Sequence, residues 1–229
     1  MTTNNAKIAL VTGASRGLGR NTAIALARKG VDVIGTYHSI KAEADATRAA
    51  IEALGRKAAM LQLDTGDVAC FPAFAAELKQ ALAAKWGRTN FDHLVNNAGI
   101  GVHAPFAETS EADFDRLMNI HLKGVFFLTQ ALLPLIADGG RIVNLSSGLT
   151  RFALPGYAAY AAMKGAIETD FGGGAVRDNK QVNAFIAGVT ALGRPGLPDD
   201  IGPAVAALLT EDNRWINAQR IEVSGGMFV

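Results

Sequence analysis

A glycine-rich turn between two apolar stretches constrains the fold of this chain more than any other feature. Residues 8–11 form a short apolar run, and residues 17–29 are rich in alanine and leucine. The turn at residues 12–19 contains three glycines. Such a turn lets the backbone come close to a phosphate, and the free N–H groups and dipole of the following helix favour the anion. It therefore predicts a strand–turn–helix unit that binds a dinucleotide, although a glycine turn without a ligand is the plainer interpretation.

The same alternation of short β-branched runs and longer alanine- or leucine-rich stretches continues along the chain. Several of the short runs carry few charges, which is typical of strands buried on both faces of a parallel sheet. The pattern predicts an α/β fold, a single doubly wound (Rossmann) domain over residues 1–229 with a parallel sheet and helices on both faces. The predicted strands are residues 8–11, 31–35, 58–63, 93–95, 141–145 and 220–223, and the predicted helices are residues 17–29, 42–54, 72–85, 111–136 and 199–209.

The composition argues against several classes of function. Lys and Arg number 22 and Asp and Glu number 21, and a formal net charge of +1 argues against a surface for nucleic acid. The apolar run at residues 124–137 is too short to cross a bilayer, so no membrane partner is expected. The four histidines lack metal-ligand spacing, so no metal is expected. Cys70 is the single cysteine and the first residues resemble no secretory signal, which together favour the cytoplasm.

The end of the second predicted strand bears on which dinucleotide binds. A carboxylate at this position commonly holds the ribose 2′-hydroxyl of NAD, but here the sequence reads Gly35-Thr36-Tyr37-His38-Ser39, and Asp32 lies at the beginning of the strand. Arg16 in the glycine turn, together with His38 and Ser39, is suited to a 2′-phosphate. The sequence therefore predicts NADP(H) in preference to NAD(H), with a solvated surface charge as the alternative role of Arg16.

Tyr160 and Lys164 form the most reactive pair in the sequence. They stand four residues apart, so on a helix they share one face with Cβ atoms about 6 Å apart. A phenol is a poor base at neutral pH because its ordinary pKa is about 10, and a neighbouring ammonium stabilises the phenolate. Tyr160 can then exchange a proton with a substrate oxygen, and Ser147, at the end of the fifth predicted strand, can hydrogen-bond the same oxygen.

Taken together, these motifs resemble the short-chain dehydrogenase/reductase family, classical type. The glycine turn comes first, Asn96-Asn97-Ala98-Gly99 follows the fourth predicted strand, and Ser147 precedes the segment Tyr160-Ala161-Ala162-Met163-Lys164 by 13 residues. The resemblance extends over residues 6–168 and 190–228. It implies a Rossmann fold, hydride transfer between a nicotinamide cofactor and a carbonyl or alcohol carbon, and a homodimer or homotetramer.

The resemblance also implies roles for individual residues. Lys164 holds the nicotinamide ribose as well as assisting Tyr160, Asp64 lies beside the adenine, and Asn119 anchors a water-linked proton path. His121 is interpreted as a packed helix residue. The predicted catalytic residues are Asn119, Ser147, Tyr160 and Lys164. The predicted cofactor contacts are Gly13, Ser15, Arg16, Gly17, Leu18, Gly19, His38, Ser39, Asp64, Thr65, Asn96, Ala98, Gly99, Tyr160, Lys164 and Thr169.

After Lys164 the sequence departs from the family pattern. Gly172-Gly173-Gly174 stands where the family has a long helix, and about 25 residues, the size of one helix–strand unit, are absent. In the preferred interpretation the gap lies near residues 167–169, and Thr169 faces the nicotinamide carboxamide. In the alternative, residues 182–188 are the strand that follows. Either the natural protein contains residues here that this sequence lacks, or the deletion is real and exposes the unpaired edge of an interior strand.

The sequence as a whole predicts an NADP(H)-dependent oxidoreductase that interconverts a ketone and a secondary alcohol. Tyr160 is its general acid/base, and its partner is a small-molecule carbonyl or alcohol. Two alternatives stay open. The gap after Lys164 favours a non-catalytic dinucleotide sensor or scaffold on the same fold. A 3-oxoacyl-thioester reductase needs a basic surface for an acidic carrier protein, which the near-neutral charge does not indicate.

Overall fold

Five parallel strands form one sheet. The computed structural model describes residues 6–147, 156–161, 178–217, 219, 221–225 and 227. All strand pairings of the sheet are parallel, which confirms the predicted doubly wound α/β fold and five of the six predicted strands. The strands are β1 (Ile8–Val11), β2 (Asp32–Tyr37), β3 (Ala58–Gln62), β4 (Phe91–Asn96) and β5 (Ile136–Asn144), in the order β3-β2-β1-β4-β5.

Helices cover both faces of this sheet. The described helices are α1 (Gly17–Arg28), α2 (Lys41–Glu52), α3 (Phe71–Trp86), α4 (Glu111–Met118), α5 (Gly124–Leu132), α6 (Ala158–Ala161), α7 (Lys180–Gly188) and α8 (Pro198–Leu208). Successive side chains of a strand point to opposite faces. Ile8 and Leu10 of β1 therefore enter an apolar core with α3 and α5, whereas Ala9 and Val11 enter a second core with α1 and α8.

The predicted helix over residues 111–136 is broken into shorter pieces. α4 passes into a π-helical turn at Asn119–Lys123, α5 follows, and a 3₁₀ turn at Leu133–Leu135 ends the run. Pro134 lies in that last turn and lacks the N–H that would continue the helix. The chain therefore enters β5 already at Ile136.

β5 is the last strand of the sheet within the described residues. No described strand pairs with its outer side, and Ile142 keeps 41% of its surface exposed. Arg141 reaches from β5 to the C-terminal end of α8, where its Nη1 donates to the carbonyl oxygens of Leu208 (2.9 Å) and Thr210 (2.8 Å). The lack of a described strand beyond β5 is consistent with the residues predicted to be absent after Lys164.

The predicted strand at residues 220–223 is wrong where the structure describes it. Residues 221–223 form no strand. The described part of the chain supplies no strand beyond β5 for them to join, so they have no ladder of hydrogen bonds to extend. Met227 instead makes an isolated antiparallel bridge with Thr190.

The alternative interpretation of the gap, with a strand at residues 182–188, is also wrong. These residues lie in α7. Asn179 caps this helix, because its side-chain oxygen accepts hydrogen bonds from the backbone N–H groups of Gln181 (2.9 Å) and Val182 (3.2 Å). The preferred interpretation concerns residues 167–169, which lie outside the described residues.

His93 is an imidazole buried in the middle of the sheet. It lies on β4 between Ala9 of β1 and Arg141 of β5, and it is 3% exposed. Its Nδ1 has no hydrogen-bond partner among the described residues. Burial lowers the pKa of His93 below its ordinary value of 6.5, and the neighbouring Asp92 carboxylate opposes this only in part. The folded protein therefore holds this imidazole neutral at a pH where the unfolded chain takes up a proton.

We predict that His93→Leu makes folding less sensitive to acid. The unfolded chain binds a proton at about pH 6.5 that the folded protein does not accept, so the parent's free energy of unfolding falls as the pH drops below neutrality. The free energy of unfolding of the variant should fall less over the same range. Urea unfolding at about pH 7.5 and at about pH 5.5 measures the difference. Equal pH dependence in His93→Leu and the parent would contradict the prediction.

Candidate active site

A cavity of about 1900 Å³ runs along the carboxyl ends of the strands and continues beside β5, where residues 139–147, part of α8 and residues of the C-terminal segment between 214 and 227 also line it. Sites for drug-sized ligands occupy roughly 300–1,000 Å³, so this cavity has room for a dinucleotide and a second molecule. Most of the residues predicted for the site line it. They are Gly13, Ser15, Arg16, Gly17, Leu18, Gly19, His38, Ser39, Asp64, Thr65, Ala98, Gly99, Asn119, Ser147 and Tyr160. Lys164 and Thr169 lie outside the described residues.

The glycine turn after β1 is locked to the loop that follows β4. Thr12 Oγ1 accepts hydrogen bonds from the N–H groups of Asn97 and Ala98, both at 2.9 Å, and donates to the carbonyl of Val95 at 3.3 Å. In return, Asn97 Nδ2 donates to the carbonyl oxygens of Thr12 (2.8 Å) and Gly13 (3.3 Å). Two loops that are 85 residues apart in sequence therefore form one rigid edge of the cavity.

The N-terminus of α1 faces the cavity with its amide groups uncapped by any side chain. Arg16 is the N-cap residue and makes no side-chain cap hydrogen bond, and the first turn holds no acidic residue. Gly19 allows the helix to lie directly on the turn, because a Cβ there would overlap the carbonyl oxygen of Gly13 and Nδ2 of Asn97. The donor groups and the absence of nearby negative charge in this turn fit a pyrophosphate.

The end of β2 carries the groups predicted to contact a 2′-phosphate. Arg16, His38 and Ser39 all line the cavity. Nε2 of His38 lies 3.5 Å from a carboxylate oxygen of Asp64. Sequence reasoning missed Glu43, which also lines the cavity and whose Oε2 is buried with no hydrogen-bond partner among the described residues. Its place in the first turn of α2, close after β2, was the available signal.

Asp32, at the other end of β2, is structural. Its Oδ1 forms an ion pair with Arg56 at 2.7 Å and accepts the backbone N–H of Lys57 at 2.9 Å. Its Oδ2 accepts a hydrogen bond from the indole N–H of Trp86 at 2.8 Å. The carboxylate is therefore bound away from the cavity, as its place at the beginning of the strand predicts.

Asn96 lies in the core and not on the cavity wall. It is 3% exposed, and its Nδ2 donates to Oδ1 of Asn144 (2.8 Å) and Oγ1 of Thr129 (3.1 Å). It therefore braces β4 against β5 and α5. Asn97, the next residue, does line the cavity.

Tyr160 of α6 and Ser147 of the loop after β5 line the same cavity. Tyr160 is 3% exposed and packs with Leu117 and Ile100. Burial raises the pKa of the Tyr160 phenol, and the neighbouring Tyr157 adds to the rise. The phenol therefore stays protonated unless a positive charge lies nearby, and Lys164, the predicted source of that charge, is outside the described residues.

α4 and the π-helical turn after it present one face to the cavity and another to Tyr160. Asp115 and Asn119, four residues apart, line the cavity. Leu117 and His121, also four apart, are buried against Tyr160, and the His121 ring meets the phenol ring edge-on at 5.7 Å. The structure thus places Asn119 on the cavity wall and brings His121 to the phenol. The i, i+4 spacing from the buried Leu117 was the signal for His121.

The findings on metal sites and on membrane-spanning helices apply to the described residues only. Within them, no group of three or more His, Cys, Asp and Glu side chains is arranged to hold a metal ion. No helix among the described residues combines the length and apolar character needed to span a membrane.

Comparison with known proteins shows the family to which this chain belongs. The family model for short chain dehydrogenases matches residues 7–189. The chain belongs to the short-chain dehydrogenase family. It is therefore an oxidoreductase that acts on CH–OH or carbonyl groups, as the sequence predicts.

Relatives of this short-chain dehydrogenase span nearly its whole length. An uncharacterized oxidoreductase from Methylorubrum extorquens is 35% identical, over 96% of this chain and 97% of the relative. Hydroxynaphthalene reductase arp2 from Aspergillus fumigatus is 32% identical, over 93% of this chain and 89% of the relative. The crystal structure of the angucycline C-6 ketoreductase LanV with bound NADP has a TM-score of 0.90 at 32% identity, over 98% of this chain and 97% of LanV.

The alignments also bear on the predicted gap in this short-chain dehydrogenase. The comparison with the Methylorubrum oxidoreductase extends over 247 positions, whereas this chain has 229 residues. The relative therefore contains residues that have no counterpart here, which is consistent with the absence predicted after Lys164.

We predict that Thr12→Val destabilises this short-chain dehydrogenase by roughly 2–6 kcal/mol, because two partly buried N–H groups lose their acceptor at about 1–3 kcal/mol each. Chemical denaturation measures the free energy of unfolding. Thr47→Val is the matched control. Thr47 is also buried, but its hydroxyl only donates, to the carbonyl oxygens of Ser15 and Glu43 at 3.1 Å, so its loss leaves no N–H unpaired and should cost about 1 kcal/mol. Equal losses in the two variants would count against the lock.

Proposed function

We propose that this protein is an NADP(H)-dependent oxidoreductase that interconverts a ketone and a secondary alcohol, with Tyr160 as its general acid/base. The observation that carries the proposal is that Tyr160 and Ser147 line the same cavity as the uncapped N-terminus of α1. A nucleotide held at that helix and a carbonyl held at the phenol therefore lie in one continuous cleft.

The residues proposed to hold the cofactor follow from the chemistry of each loop. The amide groups of residues 15–19 take the pyrophosphate, and Asp64 and Thr65 flank the adenosine half of the cavity. Ala98 and Gly99 line the cavity farther along, beside Ile100, which packs with Tyr160. NADPH bound there would supply the hydride. Thr169 is proposed for the carboxamide, and Lys164 for the nicotinamide ribose.

Tyr160 is proposed to move the proton. Its phenol is buried and protonated, so it can donate a hydrogen bond and then a proton to the substrate oxygen as negative charge develops there. Ser147 holds the same oxygen in reach. The phenolate left behind is costly in a buried site, and Lys164, one helical turn away, is proposed to stabilise it. Asn119, on the cavity wall, is proposed to connect the site to water.

NADP(H) is preferred over NAD(H) in this proposal. Arg16, His38 and Ser39 line the cavity at the end of β2, and the strand itself ends without a carboxylate. Glu43 and Asp64 oppose this preference by their charge. The NADP bound to LanV, a structural neighbour, supports the same choice.

The assembly and compartment are proposed as well. Phe126 and Phe127 on α5 are 62% and 37% exposed and lie edge-on at 5.2 Å, which supports a homodimer or homotetramer that covers them. Cys70, the single cysteine, supports a cytoplasmic location.

Turnover by Tyr160→Phe tests the catalytic proposal. We expect the parent to oxidise NADPH with 1-tetralone, a bicyclic aromatic ketone chosen because the Aspergillus relative is named for hydroxynaphthalene reduction. Tyr160→Phe should lower kcat by about 10²–10⁴-fold because general acid–base catalysis is lost. NADPH affinity should persist, by fluorescence titration. Tyr37→Phe, outside the cavity lining, is the control.

The same assay separates the two alternatives. An acetoacetyl thioester reduced faster than 1-tetralone would favour the thioester reductase. NADPH binding without turnover of any carbonyl would favour the non-catalytic sensor. Full activity in Tyr160→Phe would remove the proton role of the phenol.

Arg16→Ala tests the cofactor preference. Charged hydrogen bonds contribute about 1.5–3 kcal/mol, so NADPH affinity should fall by roughly tenfold or more, and NADH affinity should change little. Titration with each dinucleotide gives the two dissociation constants. Arg28→Ala makes the same change of charge in the last turn of the same helix, away from the cavity, and should affect neither. Tighter binding of NADH than NADPH by the parent would overturn the preference.

A further inference from the structure

The imidazole of His121 connects the loop after β4 to Tyr160. Its Nε2 lies 2.8 Å from the carbonyl oxygen of Ile100 and 3.2 Å from the N–H nitrogen of the same residue. One nitrogen cannot donate to the carbonyl and accept from the amide at once, and the shorter contact assigns the proton to Nε2. The other side of the ring meets the phenol of Tyr160 edge-on, with the centroids 5.7 Å apart and the planes at 80°.

Gly99 makes this arrangement possible. A Cβ at position 99 would lie 2.5 Å from Cε1 and 3.1 Å from Nδ1 of His121, well inside van der Waals contact. The loop therefore closes directly on the imidazole, which is 8% exposed. Any side chain at position 99 must displace the ring or the loop.

The backbone that carries His121 is itself held in place. The residue lies in the π-helical turn Asn119–Lys123, and α5 begins directly after it at Gly124. A Cβ at Gly124 would overlap the carbonyl oxygen of Thr65, so the start of α5 rests on the loop after β3. The imidazole is thus fixed at its base by one loop of the cavity and at its tip by another.

We propose that His121 is a positioning residue, which holds the Tyr160 ring at a fixed distance and orientation from residues 98–100 and so from a nucleotide bound along them. Proton transfer needs the hydroxyl within about 2.6–3.2 Å of the substrate oxygen, and displacement by about 1 Å can cost about 100-fold in rate. The kinetic consequence rests on the proposed function, whereas the positioning itself does not.

A double-mutant cycle with His121→Ala and Gly99→Ala tests the kinetic consequence. At saturating NADPH and ketone, His121→Ala should lower kcat by about 10–100-fold, and the ketone KM and the NADPH dissociation constant should stay within about threefold. Gly99→Ala should lower kcat by displacing the same ring. The kcat of the double variant should then lie within about twofold of the kcat of His121→Ala. Unchanged kcat in His121→Ala, or multiplied losses in the double variant, would overturn the proposal.

A second measurement does not depend on turnover. The chain has three tyrosines, so ring-labelled tyrosine gives three NMR signals that Tyr37→Phe and Tyr157→Phe assign. His121→Ala should shift the Tyr160 signal because the ring contact is lost, and it should leave Tyr37 in place. His121→Gln, which keeps a donor for the Ile100 carbonyl, should fold with the parent's melting temperature. An unmoved Tyr160 signal would refute the positioning even in an active enzyme, whereas a parent without turnover would refute only the proposed function.

Discussion

The reciprocal hydrogen bonds between Thr12 and Asn97 are the constraint on which the site depends. The hydroxyl of Thr12 accepts two backbone N–H groups of the loop after β4, and the Asn97 amide donates back to the glycine turn. The N-terminus of α1 is thereby fixed relative to residues 98–100. Those residues in turn hold His121, and His121 meets Tyr160. A chain of short contacts thus runs from the phosphate end of the cavity to the phenol.

Much of the fold could be predicted because parallel strands that are buried on both faces appear in the sequence as short apolar runs with few charges. β1 to β5 and the helices between the first four strands appear at or within a few residues of their predicted places. The errors arose where tertiary context decides. Residues 221–223 have strand-like composition but no neighbouring strand among the described residues, and residues 182–188 are apolar enough for a strand but follow an asparagine cap that starts α7.

Less of the site could be predicted, and the reason is the direction of side chains. The glycine turn was found because its chemistry lies in eight adjacent residues. Asn96 and Asn97 differ only by the alternation of a strand end, which sends one into the core and the other to the cavity. Asn119 and His121 lie two positions apart on a helix, and so they point to different faces. Such assignments depend on which face of each helix or strand packs against its neighbours, and a pattern of residue types does not give this orientation.

The tight approach at Gly19, Gly99 and Gly124 has a consequence for how this protein tolerates sequence drift. At each position the space that a methyl group needs is taken by backbone or by the His121 ring. Gly19 and Gly99 line the cavity, and Gly124 begins α5 against the carbonyl of Thr65, which also lines it. Buried leucines and isoleucines of the core can often exchange with one another at small cost. In a saturation library selected for folding, substitutions should therefore be most strongly depleted at these glycines around the crevice. Positions at the centre of the apolar layers should accept more substitutions.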